Sequence, residues 1–266
     1  MARISFEYTS KTIDQPTRIQ IYIPDKLVQG ENIDKVPVIY LLHGKNDNEE
    51  AWGLKTNAYQ YADMYGFILV MPYAANSFYT NMAYGYDYWN YIAEELPEIM
   101  NKTFKITNSK EITFVCGYSM GGYGALKLGI IFPERYKAIA SLSGSLRSIE
   151  INKEKIQKEY RKDLLLAFGD CGEMVKQKND IYYLTEKVLR EEKKLPKIYL
   201  YCGTNDGLYD FNFKYKEYAL KNGLDLIFRE DSGDHSYYYW DKELKIFMET
   251  ISKNLCKQEG DLNNVK

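Results

Sequence analysis

The 266-residue chain has only two histidines, His43 and His235, so imidazole acid–base chemistry has just two carriers. Its four cysteines, Cys116, Cys171, Cys202 and Cys256, are widely spaced and form no CxxC pair, which argues against a zinc site and against a disulfide framework. Cys116 and Cys202 each end an apolar run and read as small core side chains. No stretch reaches the roughly 18 apolar residues that a membrane helix needs. An excess of charge is missing too. Against 35 Lys and Arg stand 37 Asp and Glu, with no long basic block, so neither nucleic acid nor an anionic membrane is indicated as a partner. A small molecule is the expected partner, and a homo-oligomer is left open. The amino terminus, Met1-Ala2-Arg3-Ile4-Ser5-Phe6-Glu7-Tyr8, alternates like a strand and lacks the apolar core of a secretory signal, which leads to the expectation of a cytoplasmic location.

What is present is enough apolar material, 45% of the chain, for one substantial domain over residues 1–256, followed by a polar tail, 257–266, expected to fray. Strand-like runs recur at 3–8, 18–23, 36–42, 67–71, 112–116, 137–142, 197–202 and 225–230, several of them continuously apolar, as in strands covered on both faces. Helical patterns fall at 57–65, 88–104, 120–132, 210–222 and 238–255. This alternation predicts an α/β fold with a mostly parallel eight-stranded sheet flanked by helices and an antiparallel hairpin at the amino-terminal edge. Pro97 is expected to kink or interrupt the 88–104 helix. The polar stretch 145–178 lies between two strands and reads as a helical excursion with the placing of a lid.

Gly117-Tyr118-Ser119-Met120-Gly121-Gly122 follows the strand Ile112-Thr113-Phe114-Val115-Cys116 and precedes a helical run. A serine on so sharp a strand-to-helix turn is held in a strained conformation that lifts its hydroxyl clear of the sheet, and side chains two residues to either side would collide, which accounts for Gly117 and Gly121. The following helix directs the Met120 N–H toward the reacting centre as an oxyanion donor.

His235 follows the last strand in a loop, Asp231-Ser232-Gly233-Asp234-His235, where a general base would enter from the carboxyl edge. Four carboxylates could orient it: Asp206, Asp210, Asp231 and Asp234. Asp206 follows a strand through Gly203-Thr204-Asn205, whereas Asp234 adjoins the base in the chain and cannot readily reach the far ring nitrogen. Asp206 is therefore preferred. The resulting order, Ser119, Asp206, His235, is that of the α/β-hydrolase triad. His43 closes the strand Val38-Ile39-Tyr40-Leu41-Leu42 and is read as shaping the next loop, with Gly44 or Lys45 as the second oxyanion donor.

Leu41-Leu42-His43-Gly44, Gly117-Tyr118-Ser119-Met120-Gly121-Gly122-Tyr123-Gly124-Ala125-Leu126, Gly203-Thr204-Asn205-Asp206 and Asp234-His235 together resemble the Putative esterase family. That group contains esterase D (S-formylglutathione hydrolase), bacterial tributyrin esterases, feruloyl and acetylxylan esterases and the mycolyltransferases. Tyr84-Gly85-Tyr86-Asp87-Tyr88, Ile92-Ala93-Glu94-Glu95-Leu96-Pro97 and Tyr238-Tyr239-Trp240 look most like the cytoplasmic tributyrin-esterase branch. The resemblance implies the α/β-hydrolase fold, the same triad and the same oxyanion loop; the serine mechanism itself needs no metal or organic cofactor. Esterase D members commonly carry a histidine where this chain has Tyr118, which weakens a glutathione-thioester assignment.

The function expected is hydrolysis of short acyl esters through an acyl-enzyme on Ser119. The alternatives are a feruloyl or acetylxylan esterase, or an S-formylglutathione hydrolase, with the same triad; more remote is a noncatalytic binding module of this fold. Of the many aromatics, Tyr84, Tyr86, Trp89 and Trp240 are the candidates for lining the substrate pocket.

Overall fold

The structure, a computed structural model, describes residues 2–28, 33–159 and 161–263. Eight strands form one sheet: β1 (Ala2–Ser10), β2 (Gln15–Ile23), β3 (Val38–Leu42), β4 (Ile68–Pro72), β5 (Thr113–Tyr118), β6 (Ala138–Leu142), β7 (Lys197–Gly203) and β8 (Leu226–Asp231). Their spatial order is β1-β2-β4-β3-β5-β6-β7-β8. The β1–β2 hairpin and the β2–β4 pair are antiparallel, and every other pair is parallel. The fold predicted from sequence is the fold observed.

Burial explains the strand composition. β3, β4, β5 and β6 are buried along their whole length, while β1 alternates between half-buried and exposed positions, as suits an edge strand. Within β3 the period of two splits the side chains between layers. Val38, Tyr40 and Leu42 join the core that holds Leu126 and Ile130 of the helix Met120–Ile131, whereas Ile39 and Leu41 join the core that holds Leu244 and Phe247 of the last helix. Each such aliphatic side chain contributes ~1.5–3 kcal/mol of burial.

Topology locates the crevice. The chain runs from β3 outward to β4, then returns past β3 to lay down β5 on its other side. The carboxyl ends of β3 and β5 therefore flank the point where strand order reverses, which is where open α/β sheets place their ligands.

Three segments sharpen or correct the sequence reading. The 88–104 region is an α-turn Tyr88–Asn90, a π-helical stretch Tyr91–Glu95 and a helix Leu96–Phe104. Pro97 sits in the first turn of the last piece and the irregularity falls just before it; the Ala93 carbonyl, four residues earlier and deprived of its α-helical donor by the proline, accepts from Arg135 Nη1 at 2.6 Å instead. The polar excursion is three helices, Ile149–Glu159, Lys162–Phe168 and Glu173–Asn179. The last helix spans Tyr237–Asn263, so the backbone is helical well past Cys256, where a frayed tail was expected; residues 264–266 lie outside the described residues.

Candidate active site

Ser119 stands between the end of β5 and the helix Met120–Ile131 at φ 55°, ψ −116°, a conformation that costs a non-glycine residue ~1–3 kcal/mol. The turn is held by backbone bonds: the Ser119 N–H donates to Leu142 O at 2.9 Å, and Ser119 O accepts from the Ser145 N–H at 3.0 Å. The following helix and the end of β3 leave no room beside it. A Cβ on Gly117 would lie 2.2 Å from Gly121 O, and one on Gly121 would lie 2.2 Å from Leu42 O.

Two further loops converge on this turn. Asp206 follows β7, and His235 follows β8; the loops are tied by Thr204 N–H to Asp231 O (3.0 Å) and Asn205 N–H to Gly233 O (2.9 Å). His235 Nδ1 lies 2.8 and 3.0 Å from the two Asp206 carboxylate oxygens, and His235 Nε2 lies 2.9 Å from Ser119 Oγ. The Asp206 side chain is fully buried and also accepts the Leu208 N–H at 2.8 Å. Burial pushes its carboxyl up, but the hydrogen bonds from His235 and Leu208 outweigh this and hold it below the usual carboxylate range. An ionised Asp206 can only accept, so Nδ1 carries the ring proton and the Nε2 lone pair faces the serine hydroxyl. Trp240 is stacked on Tyr118 at 4.3 Å and meets the His235 ring edge-on at 4.9 Å, which fixes the imidazole plane. Asp234 is exposed and accepts from the Ser236 hydroxyl instead. The structure brings Asp206, and not Asp234, to the ring.

The loop after β3 forms the opposite wall. His43 is buried; its Nε2 accepts the Ala74 N–H at 2.9 Å and its Nδ1 donates to Gly44 O at 2.7 Å. Burial lowers its pKa to about 4, against the smaller raising effects of Gly44 O and Asp47. The neutral ring thus shapes the Gly44–Lys45 turn. A Cβ on Gly44 would lie 3.5 Å from the Ser119 Cβ, so this backbone passes directly beside the nucleophile. Met120, as the first helical residue, has an N–H without an intrahelical acceptor.

These elements enclose a cavity of about 370 Å³ lined by Ser119, His235, Asp206, Met120, Lys45, Phe78, Ser145, Arg147, Arg161, Gly207 and Leu208. A larger one, about 610 Å³, lies around Thr113 and Arg135 at the amino ends of the strands, and neither Ser119 nor His235 lines it. None of the four aromatic candidates for the substrate pocket lines this cavity. Tyr84 and Tyr86 are exposed, because the backbone N–H groups of Ala83 and Tyr84 bind Ala167 O and Leu166 O and turn this loop outward. Trp89 stacks on Phe132 and has Lys127 Nζ 4.0 Å from its ring centre, beside the far half of the serine helix. Trp240 supports the histidine and does not line the cavity.

Phe78, from the aromatic cluster that follows β4, does line the cavity, but sequence reasoning missed the wall made by Arg147 and Arg161 and also the network beneath the nucleophile. The Tyr118 hydroxyl donates to Asp47 at 2.7 Å, and Asp47 is also bound by Tyr237 and Lys55. Among the described residues no three His, Cys, Asp or Glu side chains converge as metal ligands, and no helix is long and apolar enough to cross a membrane.

Residues 10–248 match the family described as Putative esterase. An acetyl esterase of Caldicellulosiruptor saccharolyticus is 29% identical over 265 residues, which covers 95% of this chain and 99% of the relative. Fluorophosphonate-binding serine hydrolase F of Staphylococcus aureus, solved with substrate bound, superposes with a TM-score of 0.86 at 27% identity, over 94% of this chain and 98% of its own. An S-formylglutathione hydrolase of the same organism superposes at 0.83 with 27% identity, over the same shares of the two chains. The chain belongs to the Putative esterase family: it is an enzyme of the α/β-hydrolase fold that acts on ester bonds.

Proposed function

We propose that the protein is a serine carboxylesterase that cleaves short acyl esters through an acyl-enzyme on Ser119. The observation that carries this is the continuous relay from Asp206 through His235 to Ser119 Oγ, with its last step at 2.9 Å, on a turn whose strain presents the hydroxyl. Ser119 Oγ attacks the ester carbonyl as His235 Nε2 takes its proton, and the tetrahedral oxyanion is received by the Met120 N–H and that of Lys45 or Gly44. The C–O bond to the alcohol then breaks, and His235 returns the proton to the departing oxygen. Water repeats the sequence on the acyl-enzyme, giving the acid and restoring Ser119. Asp206 holds the tautomer and stabilises the imidazolium.

The short acyl preference rests on the modest cavity and its walls. Lys45, Arg147 and Arg161 stand where a long chain would need an extended apolar channel. Arg147, just before these helices, and Arg161, at the N-cap of the helix Lys162–Phe168, supply part of this wall, so the excursion is read as a cap over the pocket. The similarity to an acetyl esterase points the same way. A noncatalytic binding module would have no reason to keep all three members of the relay.

A fluorophosphonate probe is expected to label Ser119, and Ser119→Ala to lose both labelling and turnover while remaining folded; equal labelling of the variant overturns the assignment. Acetyl and butyryl esters are expected to be cleaved at least about tenfold faster than palmitoyl esters, and the reverse preference overturns the short-chain reading.

A further inference from the structure

The cavity at Ser119 has an unusual electrostatic lining for a pocket that takes small neutral esters. Three cationic side chains, Lys45, Arg147 and Arg161, share it with the carboxylate of Asp206. Asp206 is taken up by His235 and by the Leu208 N–H. Just behind the wall, Asp163 serves two of the cations at once: Arg161 binds it in fork geometry, through Nε at 2.9 Å and Nη2 at 2.6 Å, while Lys45 Nζ approaches at 3.1 Å. That leaves one carboxylate for two charges. Arg147 has none. Its Nη1 donates to Ser145 Oγ at 2.8 Å, its guanidinium lies 5.4 Å from the Phe211 ring centre, and among the described residues no carboxylate comes within 4.0 Å of it.

Burial and the neighbouring Arg161 both act against the Arg147 charge, with Asp163 and Glu159 only partly offsetting them. A partly desolvated cation beside a like charge gains from an incoming anion more than a solvated one does. Its position is fixed relative to the chemistry. Ser145, which accepts from Arg147, donates its own N–H to the Ser119 carbonyl. The guanidinium is thus joined to the nucleophile residue through a single intervening residue.

We propose that Arg147, with Arg161 beside it, forms a carboxylate-binding subsite, so that the preferred substrates are short esters that carry a free carboxylate. This deepens the esterase reading above and rests on it. The carboxylate belongs either to the acyl half, as in a monoester of a small dicarboxylic acid, or to the alcohol half, as in an acetylated hydroxy acid; both present the same anion to the same wall.

The test compares matched pairs in which the carboxylate is replaced by its neutral amide: monoethyl succinate against ethyl succinamate for the acyl half, and acetoxyacetate against acetoxyacetamide for the alcohol half. In the wild-type enzyme one pair is expected to favour the charged member by tenfold or more in kcat/KM, mainly through KM, and the pair that does so identifies the half that carries the anion. Arg147→Gln should bring that ratio close to one, and Arg147→Lys should restore part of it. Free succinate should inhibit butyryl-ester turnover by the wild type at least tenfold more strongly than succinamide, a measurement that stands even if the variants fold poorly. Ratios near one in both pairs, a ratio that Arg147→Gln leaves unchanged, or equal inhibition by succinate and succinamide overturns the subsite. If neutral butyryl esters are still cleaved and Ser119 is still labelled, that failure concerns the subsite alone. Loss of labelling and of all ester turnover would bring down the carboxylesterase reading and the subsite with it.

Discussion

His43 makes the stability of this protein depend on pH in a defined window. The ring is 1% exposed, and its Nε2 accepts the Ala74 N–H, so a proton added there would set donor against donor in a buried site. In the folded chain it therefore titrates at about 4, whereas an unfolded histidine titrates near 6.5. Between those values the unfolded state binds the extra proton and the folded state does not, so the contribution is whole above 6.5 and is lost as the pH falls toward 4. At ~1.4 kcal/mol per pH unit, the separation amounts to ~3 kcal/mol, a large fraction of the stability of an ordinary domain. Carboxylates such as Asp206 also weaken the fold in acid, so the variant His43→Gln supplies the subtraction: it lacks the titration and keeps a side-chain carbonyl for the Ala74 N–H. Urea unfolding at constant ionic strength, at half-unit steps from pH 7.5 to 4, should show the wild type losing ~3 kcal/mol more than His43→Gln across the window. Parallel loss in the two proteins would refute the reasoning, because the buried neutral ring would then not be the source.

Asp206→Asn is expected to lower turnover on a short ester by ~10²–10⁴-fold with a nearly unchanged KM, since the corresponding change in a serine protease costs about ten-thousandfold; Asp234→Asn, which loses a surface bond to Ser236, should cost ~1 kcal/mol of stability or less and little activity. Steady-state kinetics at matched folded fraction decide the matter, and a crippled Asp234→Asn beside a normal Asp206→Asn would remove Asp206 from the relay. Gly121→Ala would drive a methyl group to 2.2 Å from Leu42 O, backbone against backbone, so it should destabilise by ~3 kcal/mol or more and separate the β3 loop from Ser119. A variant with wild-type urea midpoint and turnover would show that the elbow is looser than this contact implies.

Much of the fold was legible because the sheet is covered on both sides. β3 and β4 are unbroken apolar runs, β5 and β6 are broken only by Thr113 and Ser141, and turn residues bound them, so their existence and succession along the chain followed from the sequence. The helix Ile181–Arg190 escaped notice although its signal was present. Asp180 caps it by accepting the Tyr182 and Tyr183 N–H groups, and Ile181, Leu184, Thr185 and Val188 repeat with helical spacing along its buried face. The adjoining polar excursion drew attention away from it. The π-helical stretch Tyr91–Glu95 had no comparable signal: Pro97 marked the neighbourhood of the irregularity but not its form.

The functional residues divide along the same physical line. Ser119, Asp206 and His235 each follow a strand end by one to four residues, and a strand end is a position that local pattern reveals. The parallel sheet then brings the three ends together without further information from side chains. Arg147, Arg161 and Asp163 carry no such address. They lie in or next to helices inserted between β6 and β7, and their meeting with Lys45, 118 residues from Asp163 in the chain, depends on how those helices settle over the crevice. The tyrosines after β4 failed as pocket residues for a related reason, since their loop is fixed by backbone bonds to the helix Lys162–Phe168, and those bonds face the rings outward. Chemistry set by sheet topology is therefore readable from one sequence, whereas selectivity set by the packing of the cap is not. That division makes the charged wall the place where relatives with the same triad would diverge in substrate, because a change at Arg147 alters what enters while leaving the Asp206–His235–Ser119 relay in place.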